Sequence, residues 1–132
     1  MNWKYRDADL VEVPEGKEAF VYKITFGDGT KYIGKKNFFS RRRMKVKGRI
    51  RRKVVVRESN WKVYLSSSEV VKEKIKQGEE VVGREILHLC DTVGGATWFE
   101  LVEMILQDVL CDEDYLNKNI LARFFRCFKE NE

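Results

Sequence analysis

A short segment between residues 19 and 35 constrains the fold most strongly, because it has the pattern of a β-hairpin. Residues 19–25 are rich in residues that favour strands, Gly27-Asp28-Gly29 is a turn signal, and residues 30–35 form a second strand-like run. A phosphate-binding loop is the other interpretation of these glycines, but the Lys-Ser/Thr signature of such loops is missing and no helix pattern follows. The segment is therefore predicted to be a hairpin.

The length of the turn decides which side chains share a face of this hairpin. A three-residue turn places Gly34 opposite Tyr22, and Tyr22 then projects from the same face as Tyr32. A two-residue turn would put the two tyrosines on opposite faces. A glycine opposite a tyrosine is expected to leave open space above the phenol, where a phosphate could approach. The alternative is that both are ordinary strand tyrosines, since tyrosine is common in strands.

The remaining patterns predict an α+β fold, a small three-stranded antiparallel sheet flanked by helices, with a basic insertion. A single domain is expected over residues 1–132, in which residues 1–18 lead into the fold and residues 54–56 are compatible with strand or coil. Four further elements are predicted: a helix from the capping box Ser66-x-x-Glu69 to Gly78, a strand at 81–90, an apolar core helix from the capping box Thr97-x-x-Glu100 to about Leu110, and an amphipathic helix at 119–128.

A basic arm at about residues 41–57 carries ten basic side chains and no acidic one. Since the formal net charge of the chain is +5, subtracting these ten leaves about −5 on the rest. Such a block repels itself and would be neutralised by a polyanion whose counterions it can release. A solvated loop without a partner is the alternative. The expected partner is a nucleic acid, held mainly through phosphate contacts by Arg41, Arg42, Arg43, Lys45, Lys47, Arg49, Arg51, Arg52, Lys53 and Arg57.

The cysteines and the hydropathy exclude several classes of protein. Cys90, Cys111 and Cys127 are odd in number and lack a CxxC spacing, which indicates neither a disulfide framework nor a zinc site. The sequence has neither an apolar run of membrane-spanning length nor a signal-like N-terminus, so no membrane partner and no secretion are predicted. Reduced thiols in the cytoplasm are the simplest interpretation.

Two tyrosine motifs resemble those of the GIY-YIG endonuclease superfamily. Phe20-Val21-Tyr22 resembles the first motif, with Phe20 where glycine is usual, and Tyr32-Ile33-Gly34 follows ten residues after Tyr22 as the second. Arg42 stands eight residues beyond Gly34, at the spacing of the family's arginine. Glu103 and the run Tyr115-Leu116-Asn117 resemble the family's later glutamate and its Tyr-Asn element. A further local likeness is to small stand-alone phage-encoded members, and it consists of Glu58-Ser59-Asn60-Trp61, Tyr64 and Ser66-Ser67.

This resemblance implies a metal-dependent DNA endonuclease that hydrolyses phosphodiester bonds, in the host cell cytoplasm if it is phage-encoded. Its catalytic residues would be Tyr22, Tyr32, Arg42 and Glu103, and Glu103 would hold Mg²⁺ or Mn²⁺. Besides the basic arm, the substrate-binding residues would be Gly34, Lys35, Lys36 and Asn117.

Each implied role has a chemical basis. Tyr22 would orient or deprotonate the attacking water, and we expect nearby Lys35, Lys36 and Arg42 to lower the pKa of its phenol from about 10. Tyr32 would bind the phosphate or the water network, and Arg42 would neutralise charge on the non-bridging oxygens.

Several alternatives stay open at this point. Glu100 competes with Glu103 for the metal, although its place in the capping box explains it structurally. Asn117 is equally suited to capping the last helix. The family's histidine near the arginine has no counterpart, since the only histidine is His88, so its role would fall to a lysine or to none. The whole chain could instead be a non-catalytic nucleic-acid-binding module with the same fold, or a protein-interaction domain whose basic arm meets an acidic partner.

Overall fold

A computed structural model describes residues 1–126 of the chain, with a mixed α+β architecture. The main sheet has five strands in the spatial order β2-β1-β7-β3-β4, and β7, β3 and β4 are antiparallel neighbours that form the predicted three-stranded unit. The strands of this sheet are β1 (Trp3–Tyr5), β2 (Ala8–Leu10), β3 (Ala19–Phe26), β4 (Lys31–Asn37) and β7 (Val81–Cys90). Two helices, α1 (Glu69–Lys76) and α2 (Val93–Leu106), complete the framework.

The N-terminal residues extend the sheet instead of only leading into it. Strands β1 and β2 form a hairpin, and β1 pairs with β7 in parallel. Trp3 accounts for this, because its ring is buried, donates a hydrogen bond from Nε1 to the Trp61 carbonyl (2.7 Å), and lies under the Arg84 guanidinium at 4.1 Å. The expectation of a simple lead-in was wrong, since strands of three residues are too short to show an alternating pattern.

The β3–β4 hairpin has the register of the three-residue turn. Tyr22 is paired with Gly34 and Ile24 with Tyr32, and the Phe26 N–H donates to the Thr30 carbonyl across the turn (2.8 Å). Tyr22 and Tyr32 therefore share a face, as predicted. The space above Gly34 is filled, however, because a Cβ at this position would lie 2.6 Å from Cζ of Tyr22.

Alternation along β3 divides the core between the two faces of the sheet. Val21 joins the cluster that contains Ala96 and Met104 of α2, whereas Phe20 and Tyr22 join the cluster that contains Val71 of α1. Each helix thus covers one face. Neither helix is long and apolar enough to cross a membrane, as far as the described residues 1–126 go.

The helix boundaries differ from the predicted ones. Helix α1 has Ser68 as its N-cap residue and ends before Gly78, whose φ is +89°. Helix α2 begins earlier than expected, because the Thr92 hydroxyl accepts a hydrogen bond from the Gly95 N–H (2.9 Å) and caps the helix. Glu100 therefore lies in the second turn and has no capping task.

Two further expectations were wrong. Helix α2 is only partly a core helix, since Trp98, Ile105 and Leu106 are exposed. The predicted helix at 119–128 is replaced over its described part by the short strands β8 (Asn119–Ile120) and β9 (Phe124–Phe125), and residues 127 and 128 lie outside the described chain. Leu121 and Ala122 have φ values of 56° and 52°, which are incompatible with a right-handed helix.

The basic arm forms its own two-stranded sheet. Strands β5 (Phe39–Met44) and β6 (Lys53–Glu58) pair from Phe39↔Glu58 to Met44↔Lys53, and residues 45–52 form the tip. Nearly all of the side chains in both strands are exposed. Residues 54–56 are thus strand, the first of the two possibilities left open for them.

We predict that Gly34→Ala lowers the free energy of unfolding by about 1–3 kcal/mol, the usual range for overpacking. The added methyl group would overlap the Tyr22 ring, and both residues are fixed by the β3–β4 ladder. Equilibrium urea unfolding measures the change. Gly94→Ala is the matched control, because a Cβ at Gly94 meets nothing within 4 Å and replacing a helical glycine costs no stability. Equal stability of Gly34→Ala and the unmodified chain would contradict the close packing.

Candidate active site

A cleft of about 420 Å³ opens at the β4 edge of the main sheet. We call it the edge cleft. Its polar lining comes from β4, from Ser68 and the first residue of α1, from α2 and from the segment after Leu116: Tyr32, Lys35, Ser68, Glu69, Thr97, Glu100, Asn117, Lys118 and Asn119. Residues distant in sequence therefore meet at one open surface.

The edge position of β4 explains how Tyr32 and Lys35 both reach this cleft. The two side chains leave the strand on opposite faces, because they are an odd number of residues apart. No strand of the described chain continues the main sheet beyond β4. Side chains from either face of β4 can therefore reach the same cleft at that edge.

Two carboxylates line the edge cleft, Glu69 and Glu100. Glu69 is exposed at the start of α1, whereas Glu100 is partly buried. Burial raises the pKa of Glu100, while the nearby charge of Lys35 opposes the rise. The Lys35 ammonium is held in place by a hydrogen bond to the Thr97 hydroxyl (2.6 Å). Burial also raises the pKa of the Tyr32 phenol, and the charge of Glu100 acts in the same direction. Tyr32 is thus a protonated hydroxyl beside a carboxylate and an ammonium group.

Glu103 lies elsewhere on α2. Its Oε1 is 2.8 Å from Nε2 of His88, and its Oε2 accepts a hydrogen bond from Nε2 of Gln107 (2.6 Å). The His88 ring is stacked on Phe99, with 4.6 Å between the ring centroids. Glu103 does not line the edge cleft. The carboxylate of Glu103 is therefore engaged by His88 and Gln107, outside the set of residues that line the cleft with Tyr32.

Tyr22 lies beneath the cleft and not in it. Its side chain is 2% exposed, its hydroxyl donates to Oγ of Ser66 (3.2 Å), and its ring centroid is 6.4 Å from that of Tyr32 and 6.0 Å from that of Tyr64. Burial raises the pKa of the Tyr22 phenol well above its usual value. The expected lowering of this pKa by nearby cations was therefore wrong, and the phenol stays protonated at neutral pH.

Arg42 lines a second cleft, of about 670 Å³, between the basic arm and residues 58–60. Lys36, Arg43 and Arg57 also line this cleft, and Glu58 is the one acidic residue among its lining residues, so the cleft is basic. The Lys36 ammonium is 4.2 Å from the centroid of the Tyr64 ring, and Tyr64 packs on Tyr22. The aromatic cluster thus lies between the basic cleft and the residues of the edge cleft.

The other predicted substrate-binding residues lie along the arm. Nη2 of Arg41 donates hydrogen bonds to both carboxylate oxygens of Glu18, at 3.1 Å and 3.0 Å. This contact connects the base of the arm to the rest of the domain. Arg51 and Arg52 line a third concavity together with Arg43 and Val54. The remaining basic residues of the tip and of β6 are exposed: Lys45, Lys47, Arg49 and Lys53.

Asn117 has a structural task that neither prediction foresaw. Its Oδ1 accepts a hydrogen bond from the Ile33 N–H (3.1 Å), and its Nδ2 donates to the Ile33 carbonyl (2.8 Å). The backbone beside it also pairs with β4, since Lys31 donates to Asp114 (2.8 Å) and Leu116 donates to Lys31 (2.7 Å). Asn117 is buried and fixes one wall of the edge cleft against the strand.

The sequence patterns assigned Thr97 and Glu100 to a capping box and gave no role to Ser68, whereas all three line the edge cleft. The signal that would have promoted Glu100 is Thr92, which stands directly before a helical stretch and three residues before Gly95. A threonine cap at Thr92 moves the start of α2 back and releases Glu100 from the capping box.

The carboxylates of the edge cleft could hold a divalent cation only through one or two protein ligands. Residues 1–126 contain no cluster of three or more His, Cys, Asp or Glu side chains that could hold a metal. Mg²⁺ needs only one or two carboxylates, because it keeps several waters and also binds substrate phosphates. Glu100 is suited to that task.

The sequence matches the family described as "Putative endonuclease segE, GIY-YIG domain" over residues 3–120. The chain belongs to this GIY-YIG family. It is also 30% identical over 132 residues to Intron-associated endonuclease 2 of Enterobacteria phage T4, a match that covers 100% of this chain and 43% of that protein. The chain thus spans less than half the length of this relative. No solved structure matches it.

We predict that this GIY-YIG domain loses stability above about pH 10 partly through Tyr22. Folding raises the pKa of this phenol, so the unfolded chain releases a proton that the native state retains. The free energy of unfolding then falls by up to about 1.4 kcal/mol per pH unit above the pKa of the unfolded phenol. Urea unfolding between pH 8 and 11 should show a shallower decline for Tyr22→Phe. An identical decline in both proteins would show that folding does not raise the pKa of the Tyr22 phenol.

Proposed function

We propose that this chain is a DNA endonuclease that hydrolyses phosphodiester bonds in the edge cleft, with Mg²⁺ or Mn²⁺ held by Glu100. The observation that carries the proposal is the meeting of Tyr32, Lys35 and Glu100 in one open cleft of a GIY-YIG domain. The T4 relative is itself called an endonuclease, which agrees with this chemistry.

Glu100 is a better metal ligand than Glu103 in this geometry. A partly buried carboxylate with a raised pKa gains from a bound cation, which offsets the desolvation of its charge. Glu103 has both carboxylate oxygens engaged by His88 and Gln107. When bound, the cation would polarise the scissile phosphate and favour ionisation of a coordinated water.

Lys35 and Tyr32 would act directly on the phosphate. Hydrolysis joins a water oxygen to phosphorus and breaks one ester bond, so negative charge builds on the non-bridging oxygens. The Lys35 ammonium, fixed by Thr97, would neutralise that charge. The protonated Tyr32 hydroxyl would donate a hydrogen bond to the phosphate or to the attacking water. Lys35 is therefore our candidate for the cationic role that a histidine has in other members.

Tyr22 and Gly34 would position Tyr32 without touching the substrate. The Tyr22 ring packs against Tyr32 and requires the absence of a side chain at position 34. Arg42 would contact a phosphate in the basic cleft, next to the one that is cut. The basic arm would hold further phosphates and make the affinity fall steeply with salt.

One observation favours a second function, a nucleic-acid-binding module without catalysis. Tyr22 is buried with a raised pKa, and Phe20 fills the core where the first motif usually has glycine. A domain of this kind would bind DNA through the arm and leave it intact.

We predict that Glu100→Gln lowers metal-dependent nicking of supercoiled plasmid by about 100-fold or more, the scale on which lost charge stabilisation acts. Glu103→Gln is the matched control on the same helix, and it should retain nicking while it weakens the contact with His88. Reactions run with Mg²⁺, with Mn²⁺ and with EDTA, and a gel shift on a linear duplex measures binding in parallel.

Loss of nicking in Glu103→Gln but not in Glu100→Gln would overturn the assignment of the metal ligand. Binding without nicking in any metal would support the non-catalytic module instead. A chain that does not bind DNA even at low salt would favour an acidic protein partner for the arm.

A further inference from the structure

The tip of the basic arm carries one fully solvent-exposed aliphatic side chain, that of Ile50. Its neighbours Arg49, Arg51 and Arg52 are all cationic. An isolated exposed isoleucine needs no explanation on an ordinary surface, but here it stands at the centre of the most basic loop of the chain. A ligand that binds the arginines on either side would therefore also contact Ile50.

The arm reaches away from the main sheet. Strands β5 and β6 form a separate two-stranded sheet of six pairs, which at about 3.3 Å per residue spans about 20 Å. Arg41 ties its base to Glu18. The tip is therefore carried to a distance comparable to the width of a DNA duplex, while the base stays beside the basic cleft.

The tip also has a place for a phosphate. Arg43, Arg51 and Arg52 converge with Val54 on one concavity, and guanidinium groups suit phosphate oxygens through paired hydrogen bonds. Val54 and Val56 are exposed on the same face of the ribbon as Arg41 and Arg43, their cross-strand partners. This face therefore combines apolar and cationic contacts, as an element lying in a DNA groove requires.

We propose that Ile50 is a wedge that inserts between adjacent base pairs of bound duplex DNA and bends the duplex. The largest apolar surfaces of DNA are the stacked faces of its bases, and the thymine methyl groups of the major groove are much smaller. An aliphatic side chain that flanking arginines hold at the helix is buried most completely by parting a base step. Isoleucine is among the side chains that DNA-bending proteins insert in this way. The inference rests on the proposed function only in taking DNA as the ligand.

Fluorescence resonance energy transfer between the ends of a duplex tests the wedge. The probe is a duplex of about 30 base pairs with central TA steps, which kink easily. All proteins are full-length chains that carry Glu100→Gln, so that the DNA stays intact. Ile50→Ala is compared with the unmodified tip, with Ile50→Leu, and with Val63→Ala, which removes an exposed aliphatic side chain outside the arm.

We predict that the unmodified tip, Ile50→Leu and Val63→Ala increase the transfer efficiency equally at saturating protein. Ile50→Ala should lose more than half of that increase, while the salt dependence of its affinity stays unchanged because no phosphate contact is removed. A bend that Ile50→Ala retains in full, or tight binding without any bend, would overturn the wedge.

These outcomes separate the wedge from the nuclease activity. Plasmid nicking by the chain with native Glu100, together with an unbent duplex, would refute the wedge and leave the proposed function intact. A bend that depends on Ile50, without nicking in any metal, would support the wedge and refute the proposed nuclease activity. Failure to bind the duplex at low salt would overturn both.

Discussion

Strand β4 lies at the edge of the main sheet, and the side chain of Asn117 forms hydrogen bonds with the outward-facing backbone groups of this strand. Asn117 offers one donor and one acceptor to Ile33, in the geometry of a neighbouring strand, and Asp114 and Leu116 pair with Lys31 beside it. This pairing satisfies backbone groups that would otherwise be buried without partners. It also holds the segment after residue 114 as a wall of the edge cleft. Because a short segment replaces a full strand, side chains from both faces of β4 open into that cleft.

The residue at which helix α2 begins is the second feature that determines the edge cleft. Thr92 caps the helix, so Glu100 and Glu103 lie in its second and third turns and point to different neighbours. Glu100 faces Lys35 and Tyr32, whereas Glu103 is matched with His88 on the adjoining strand. Among residues 1–126 no hydrogen bond or ion pair engages the Glu100 carboxylate, which leaves it available to a cation, whereas both carboxylate oxygens of Glu103 are bonded. The same helix thus supplies one carboxylate to the cleft and one to the packing of α2 against β7.

Long, regular patterns in the sequence predicted the structure well, and short or context-dependent ones did not. The β3–β4 hairpin, strand β7 and the existence of α1 and α2 followed from local pattern, and the structure decided between the two registers left open for the hairpin. The β1–β2 hairpin did not, because Trp3 is fixed by Trp61 and Arg84, which are distant in sequence. The pKa of Tyr22 was misjudged for a related reason, since nearby cations are visible in a sequence and burial is not. Asn117 looked like a cap or a phosphate ligand, and only the fold shows that it completes a sheet edge.

The central claim is that the cation needed for cleavage binds at Glu100. Anomalous diffraction from crystals soaked in Mn²⁺ tests this most directly, because it locates the ion without relying on activity. We predict a peak within bonding distance of a Glu100 carboxylate oxygen, in the cleft shared with Tyr32 and Lys35. A peak at Glu103 and His88, with none in the edge cleft, would contradict the claim.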